Sequence, residues 1–157
     1  MKPKTNKAHH GCPLHLHPDL KEYLGYCFYK AATRIRSMVD LELAPFGVVA
    51  PQFGMLIILD SQGSMTQGEL AEFMSMDKAT MVRMIDGLQA KKFLTRVPSK
   101  QDRRSNRLAI TPSGRSVLVK LDQARERAEG EFLAALSRKE QAQLRAIIGK
   151  LSSAPAY

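Results

Sequence analysis

The sequence lacks the features that define several common classes of protein. Its two cysteines are too few for a disulfide-dense secreted scaffold. It has no apolar run of about 18 residues, the length that a transmembrane helix needs. Its basic N-terminus contains no apolar stretch of signal-peptide length. We therefore expect a cytoplasmic protein.

Motifs of enzymes are missing as well. The sequence contains no Gly-rich phosphate loop, no G-x-S-x-G and no H-E-x-x-H pattern. All four histidines lie near the N-terminus, away from any predicted core. These absences predict that the protein is not an enzyme and has no resident cofactor.

Positive charge is the property that the chain has in excess. It has 157 residues, enough for one domain, with 24 Lys and Arg against 15 Asp and Glu. Residues 91–107 alone contain seven basic residues and one acidic residue, whereas residues 51–90 contain two and five. This distribution favours a polyanionic partner that is contacted by one short segment.

The N-terminal third is predicted to be an arm followed by a long helix. Residues 1–18 hold three prolines and all four histidines without any periodicity, so we expect a flexible arm. Apolar residues then recur at three- and four-residue steps from Asp19 to about Ala44. Asp19 is the predicted N-cap of this helix.

Three short helices are predicted next. Pro51 opens a nearly all-apolar helix, Thr66 and Glu69 form a T-x-x-E capping box, and Asp77 caps a helix over residues 78–91. The side chains expected to point inward are Phe53, Leu56, Ile57, Leu59, Leu70, Phe73, Met74, Met81, Met84, Ile85 and Leu88.

A β-hairpin and two helices complete the chain. The hairpin pairs Leu94–Val97 with 106–111, in which Leu108 and Ile110 alternate with polar or small residues. The tip of the hairpin, residues 98–105, is predicted to be basic and flexible. Pro112 is predicted to start a helix that runs to about Leu136.

A second capping box opens the last predicted helix. It consists of Ser137 and Glu140, again in the T/S-x-x-E spacing. Apolar residues follow at helical spacing, namely Leu144, Ile147, Ile148 and Leu151.

The order of these elements predicts a winged helix-turn-helix. Two short helices joined by a tight turn are the DNA-binding supersecondary motif, and a hairpin that follows at once is the wing. The densest positive charge lies on that wing, where it would neutralise phosphates. The predicted fold class is mainly α with a small β-hairpin wing.

Several motifs then resemble one known family. Residues 102–114, from Asp102 through Arg104 to Thr111 and Gly114, resemble the D-x-R…T-x-x-G signature of MarR-type regulators. Residues 67–71 and 78–88 are similar to the helix-turn-helix of that family, and 43–53 to the segment between its first two helices. One departure is Lys92, where most relatives have Gly. A Lys there must adopt a left-handed backbone or end the helix differently.

The resemblance implies a homodimeric transcriptional regulator, in most members a repressor. It implies a helical dimerisation region over 19–50 and 112–152 and a DNA-binding domain over 51–111. Two recognition helices would meet a pseudo-palindromic operator in double-stranded DNA. The alternative is a non-specific architectural DNA-binding protein, which would contact only phosphates.

The resemblance also places the DNA contacts. Lys78, Ala79, Val82 and Arg83 are expected in the major groove, with Thr80 near phosphate. Arg104 is expected in the minor groove, oriented by Asp102. The expected phosphate contacts of the wing are Lys100, Arg103 and Arg107.

The releasing signal is open among a small ligand, an oxidant and a metal. Cys27 lies among tyrosines early in the first helix, as in the peroxide-sensing branch of the family, but a small buried apolar residue is the commoner role of a free Cys. A cleft for a small aromatic acid would be lined by Tyr26, Tyr29, Arg34 and Arg36.

The histidine-rich arm is a weak candidate for Zn²⁺, Cu or haem. Its potential ligands match no standard spacing, so adventitious affinity is the favoured interpretation. They are His9, His10, Cys12, His15 and His17.

Overall fold

The computed structural model describes residues 16–98 and 106–152. This described part is mainly helical, with one two-stranded antiparallel sheet. The elements are α1 (Leu24–Leu43), α2 (Ala50–Gln62), α3 (Gln67–Phe73), α4 (Lys78–Ala90), β1 (Leu94–Pro98), β2 (Asn106–Ile110), α5 (Pro112–Phe132) and α6 (Arg138–Ser152). The predicted fold class is confirmed.

The first long helix begins at Leu24, so the predicted start at Asp19 is wrong. Pro18 instead opens a 3₁₀ turn over Pro18–Leu20, in which the Leu20 N–H donates to the His17 carbonyl at 3.0 Å. Such a turn has a tighter pitch than an α-helix and rarely extends beyond a few residues. Tyr23, in an extended conformation, separates it from α1.

The second helix lies at the centre of the molecule. Asp40 of α1 caps it, because Asp40 Oδ1 accepts the Ala50 N–H at 2.7 Å. Its buried residues are Gln52, Phe53, Met55, Leu56 and Leu59. Ile57, predicted to point inward, is 43% exposed. In a helix of this length one face reaches solvent, and Ile57 lies on that face.

Both predicted caps in the helix-turn-helix are confirmed. Thr66 Oγ1 accepts the Glu69 N–H at 3.2 Å, and Asp77 caps α4. Leu70 is fully buried, but Phe73 is 65% exposed, contrary to the prediction. Met74 is half-buried and follows Leu70 by four residues, so the core-facing stripe runs from Leu70 to Met74 and leaves Phe73 outside it.

The hairpin forms as predicted and gains a third short partner. Leu94 lies opposite Ile110 in the register, and Leu108 and Ile110 are buried. Met65, in the turn before α3, forms an isolated antiparallel bridge with Leu108. The middle of β2 is therefore attached to the turn that precedes α3.

The fifth helix begins at Pro112 as predicted but ends at Phe132, not near Leu136. Gln141 explains the earlier end, because its Nε2 donates to the carbonyls of Leu133 at 3.1 Å and of Leu136 at 3.0 Å. These bonds satisfy carbonyl oxygens that a continuing helix would have used.

The sixth helix is opened by the predicted capping box. Ser137 Oγ accepts the Glu140 N–H at 3.4 Å, and Glu140 Oε2 accepts the Ser137 N–H at 2.8 Å. In contrast to α2, none of the α6 residues is buried. Leu144 is half-buried, and the rest of the apolar stripe of α6 stays largely exposed within the described chain.

The five helices α1, α2, α3, α4 and α5 and the hairpin share one hydrophobic core. It contains Leu43, Leu56, Leu59, Leu70, Met81, Ile85, Leu88, Leu94, Leu108 and Leu121 among its most buried members. Over residues 16–98 and 106–152, no single helix is both long and apolar enough to cross a membrane. Within these residues, the pair Leu24–Phe46 and Ala50–Gln62 reaches that length and apolarity together, across a bend of 76°.

Candidate nucleic-acid interface

The first turn of α4 presents a basic, exposed surface. Asp77 Oδ1 accepts the Thr80 backbone N–H at 2.9 Å, and this bond is the main cause of the lowered pKa of the Asp77 carboxyl. Lys78, Ala79 and Arg83 are exposed. Ala79 and Arg83, four residues apart, point away from the buried side of the helix. This end of α4 is therefore accessible from solvent.

Thr80 and Val82 lie at the edges of the same surface. Both are half-buried, and Arg83 Nη2 donates to Thr80 Oγ1 at 3.1 Å. The structure thus brings the five predicted α4 residues together. It does not place a nucleic acid against them, so their contacts with DNA stay a prediction.

A basic residue that the sequence analysis overlooked lies between the hairpin and α4. Arg96 of β1 is exposed, and its Nε donates to Gln89 Oε1 of α4 at 3.3 Å. It follows the buried Leu94 by two residues and therefore shares its face of the strand. The alternation of side chains between the two faces of a strand was the signal in the sequence that could have placed Arg96 on this face of β1.

The tip of the hairpin lies outside the described residues. This concerns three predicted DNA contacts, Lys100, Arg103 and Arg104, and Asp102, which is predicted to orient Arg104. The fifth wing residue, Arg107, is described. It lies opposite Val97, one position from the start of β2, and its guanidinium contacts Ser64, before α3, and Glu69 of α3.

Lys92 adopts the left-handed backbone that its position requires. Its φ is +61°, and its N–H donates to the Gln89 carbonyl at 2.9 Å. A non-glycine residue pays a steric cost in this region, because its Cβ approaches the following carbonyl. The turn between α4 and β1 therefore keeps its shape although it lacks the glycine typical of relatives.

Gln52 fixes α4 against α2. This side chain is only 7% exposed, and its Nε2 donates to the Met84 carbonyl at 3.2 Å while its Oε1 accepts the Val49 N–H at 3.3 Å. A Cβ on Gly87 would lie 2.6 Å from that Nε2. A glycine in α4 thus makes room for a buried amide that the sequence analysis did not identify as functional.

Cys27 is half-buried near the start of α1. Its Sγ donates to the Lys21 carbonyl at 3.2 Å. The neighbouring Tyr23 and Tyr29 are mostly exposed, so they do not enclose the thiol in a pocket within this chain. The position is compatible with either predicted role.

The two arginines predicted to line a ligand cleft have separate partners within this chain. Arg34 stacks over the ring of Phe132, 5.8 Å from its centroid, whereas Arg36 faces Asp40 with 3.9 Å between Nε and Oδ2. Arg36 lines an open groove of about 390 Å³ along α1. The other lining residues are Thr33, Ser37, Asp40 and Leu41.

Most of the histidine-rich arm also lies outside the described residues. This concerns His9, His10, Cys12 and His15. His17 is described and faces Asp19, with 3.6 Å between Nδ1 and Oδ2. In the part of the chain that the structure covers, no three His, Cys, Asp or Glu side chains are grouped for a metal ion.

The geometry defines a winged helix-turn-helix protein, and comparisons with known proteins identify its family. The model of the MarR family matches residues 49–105. The uncharacterized HTH-type transcriptional regulator YpoP of Bacillus subtilis is 31% identical over 100 residues, covering 64% of this chain and 67% of that protein. The chain belongs to the MarR family of transcriptional regulators.

Two further comparisons support this assignment. The putative transcriptional regulatory protein for the hcr operon of Thauera aromatica is 31% identical over 105 residues, which are 67% of this chain and 63% of that protein. The chain thus spans slightly less than two thirds of that relative. The solved structure of the transcriptional repressor CouR, bound to a 23-mer DNA duplex, matches with a TM-score of 0.79 and 27% identity, over 88% of this chain and 99% of that one.

Proposed function

We propose that the protein is a homodimeric repressor that binds one operator sequence in double-stranded DNA. The observation that carries the proposal is the exposed, basic first turn of α4 beside the hairpin. A helix presented in this way enters the major groove with its N-terminal residues toward base edges. Support also comes from CouR, which resembles this chain over most of its length and is a repressor bound to a DNA duplex.

The dimer is argued from apolar surface that one chain leaves uncovered. Leu24 is 70% exposed and Phe28 45% at the start of α1, and α6 exposes Ile147, Ile148 and Leu151. Soluble monomers rarely expose contiguous apolar surface of this kind. A second copy of the chain would bury it, as the resemblance to the family implies for residues 19–50 and 112–152.

Release from DNA by a small ligand, an oxidant or a metal belongs to the same proposal. The groove beside Arg36 suits a small organic anion, because its exposed guanidinium is held only by a long contact with Asp40. Asp40 also caps α2, so an anion that displaced it from Arg36 would act next to the helix that holds α4.

The proposal is tested by fluorescence anisotropy on the DNA upstream of the protein's own gene and on scrambled DNA, at two salt concentrations. We expect tight binding to the upstream sequence that survives moderate salt, and weak binding to scrambled DNA. Equal and steeply salt-dependent binding to both would contradict the proposal and favour an architectural protein.

Matched variants locate the interface. Arg83→Ala and Arg104→Ala should each weaken operator binding by about 1–3 kcal/mol, the usual value of a base contact by arginine. Lys120 is an exposed residue on α5, so Lys120→Ala should leave operator affinity unchanged. This variant controls for the loss of one positive charge. Wild-type affinity in Arg104→Ala would contradict the assignment of this wing residue to the DNA interface.

A further inference from the structure

Arg107 of β2 is held at several points, although its basic character predicts a contact with phosphate. Its Nη2 donates to the Ser64 carbonyl at 2.6 Å and faces Glu69 Oε2 at 3.3 Å. Its Nε donates to the same carbonyl at 3.1 Å and to Ser64 Oγ at 3.3 Å. The side chain is 25% exposed. Two of its three guanidinium nitrogens are therefore engaged inside the protein.

The acceptors of Arg107 belong to the turn that starts α3. Glu69 Oε2 also accepts the Thr66 N–H at 2.6 Å as part of the capping box. The hydrogen bonds from Thr66, backbone first, lower the pKa of the Glu69 carboxyl, and the charge of Arg107 acts in the same direction. The carboxylate is thus ionised at neutral pH and shared between the cap and the guanidinium.

Backbone bonds attach the same two segments to each other. The Leu108 N–H donates to the Met65 carbonyl at 2.6 Å, and the Met65 N–H donates to the Leu108 carbonyl at 3.0 Å. Arg107 is adjacent to this bridge. Its side chain and the bridge together connect β2 to the turn before α3.

We propose that Arg107 is a positioning residue that sets the angle of the hairpin against the helix-turn-helix, and not a phosphate contact. This inference rests on the proposed DNA-binding function. A wing and a recognition helix must meet adjacent grooves at a fixed spacing, so the strands of the wing need a firm attachment to the helix-turn-helix. A phosphate at this guanidinium would also lie next to the ionised Glu69, which would repel it.

The salt dependence of binding distinguishes the two roles. We expect Arg107→Ala to weaken operator binding roughly tenfold, the usual size of a lost hydrogen bond to a charged group. Binding to scrambled DNA and the slope of log K against log salt should stay unchanged. A phosphate contact would instead weaken binding to both DNAs and reduce the slope by about one. That result would overturn the inference.

For a second variant, the two roles of Arg107 predict changes of opposite sign in DNA affinity. Glu69→Gln keeps an oxygen that accepts the Thr66 N–H but removes the negative charge beside Arg107, whose bonds to Ser64 remain. We expect a smaller loss of operator binding than in Arg107→Ala, and a less than additive loss when the two changes are combined. If Arg107 contacted phosphate, removal of the neighbouring negative charge would strengthen binding to both DNAs. Arg127→Ala, which breaks the ion pair with Glu42 between α5 and α1, is the charge-matched control.

The wild-type titration separates failure of this inference from failure of the proposed function. Equal wild-type binding to operator and scrambled DNA would contradict the proposed function alone. Hydrogen exchange then tests Arg107 without DNA. Arg107→Ala should accelerate exchange of the Met65 and Leu108 amides while the α4 amides keep their protection. Unchanged exchange at both amides would overturn the positioning role.

Discussion

The segment from α2 to β2 buries most of its large apolar side chains within one chain, whereas α6 has no buried residue. Fully covered residues occur in every helix and strand of that segment, for example Leu59, Leu70, Leu88, Leu94 and Leu108. The apolar residues of α6 have the helical spacing of a buried face, yet Ile147, Ile148 and Leu151 are about half exposed.

This difference has a physical consequence. The core of the winged helix-turn-helix is completed within one chain by Leu43 of α1 and Leu121 of α5, so it needs no second copy to cover it. An amphipathic helix that covers nothing gains little from its apolar stripe until another surface meets it. We infer that the two regions respond differently to substitution, and the following predictions test that difference.

The largest effect is expected from charges placed on the apolar stripe of α6. Ile148→Glu combined with Leu151→Glu should convert a dimer into a monomer, because two carboxylates would be buried at the interface. Operator affinity should fall about 10²–10⁴-fold through the loss of bivalent binding. Light scattering and anisotropy measure the two effects.

A matched change in the other region controls for added charge. Phe73 is 65% exposed on α3, so Phe73→Glu should leave the dimer mass unchanged. A monomer in Phe73→Glu, or a dimer that persists in the α6 double variant, would contradict the assignment of the interface to α6.

Two glycines of the same helix, α5, should give effects of opposite sign. A Cβ on Gly114 would meet the carbonyl oxygen of Phe93 and lie 2.7 Å from Ile110 Cγ1, at the base of the hairpin. Gly114→Ala should therefore lower the free energy of unfolding by about 3 kcal/mol. Gly130 has nothing within 4 Å of its Cβ position, so Gly130→Ala should raise it by about 0.5–1 kcal/mol.

Urea denaturation of the two glycine variants provides the measurement. Equal loss of stability in both would show that the crowding at Gly114 does not determine its tolerance. It would also contradict the physical reason that we give for the glycine of the T-x-x-G signature, namely that a Cβ at Gly114 has no room.

The smallest effect is expected at the turn between α4 and β1. Lys92→Gly should raise the free energy of unfolding by up to about 1 kcal/mol, because glycine adopts a positive φ without steric cost. Lys91, with a φ of −84°, is the control, and Lys91→Gly should lower stability slightly. Thermal unfolding measures both, and a destabilised Lys92→Gly would show that the Lys92 side chain contributes contacts of its own.

The sequence predicted the caps and the order of elements well, because these depend on neighbouring residues. Thr66 with Glu69, Asp77, and Ser137 with Glu140 each form bonds over three residues. The sequence predicted the orientation of Ile57 and Phe73 wrongly, since both side chains are exposed. Apolar character alone does not tell which side of a short helix meets the core.

The residues of the candidate site were predicted in part for the same reason. The exposed face of α4 follows from helical periodicity, so Lys78, Ala79 and Arg83 could be named from the sequence. Arg96 and Gln52 were missed. Their partners, Gln89 and Met84, lie on α4, which only the packed structure brings next to β1 and α2.

The sequence by itself determined the winged helix-turn-helix, its basic wing and its family, because these are recorded in local spacing and in motifs. Only the tertiary structure decided how Arg107 is used. Its acceptors Ser64 and Glu69 are 43 and 38 residues away along the chain. The guanidinium reaches them because the Met65–Leu108 bridge brings β2 next to the turn before α3. The residues adjacent to an arginine in a basic segment do not indicate whether it forms such a long-range hydrogen bond.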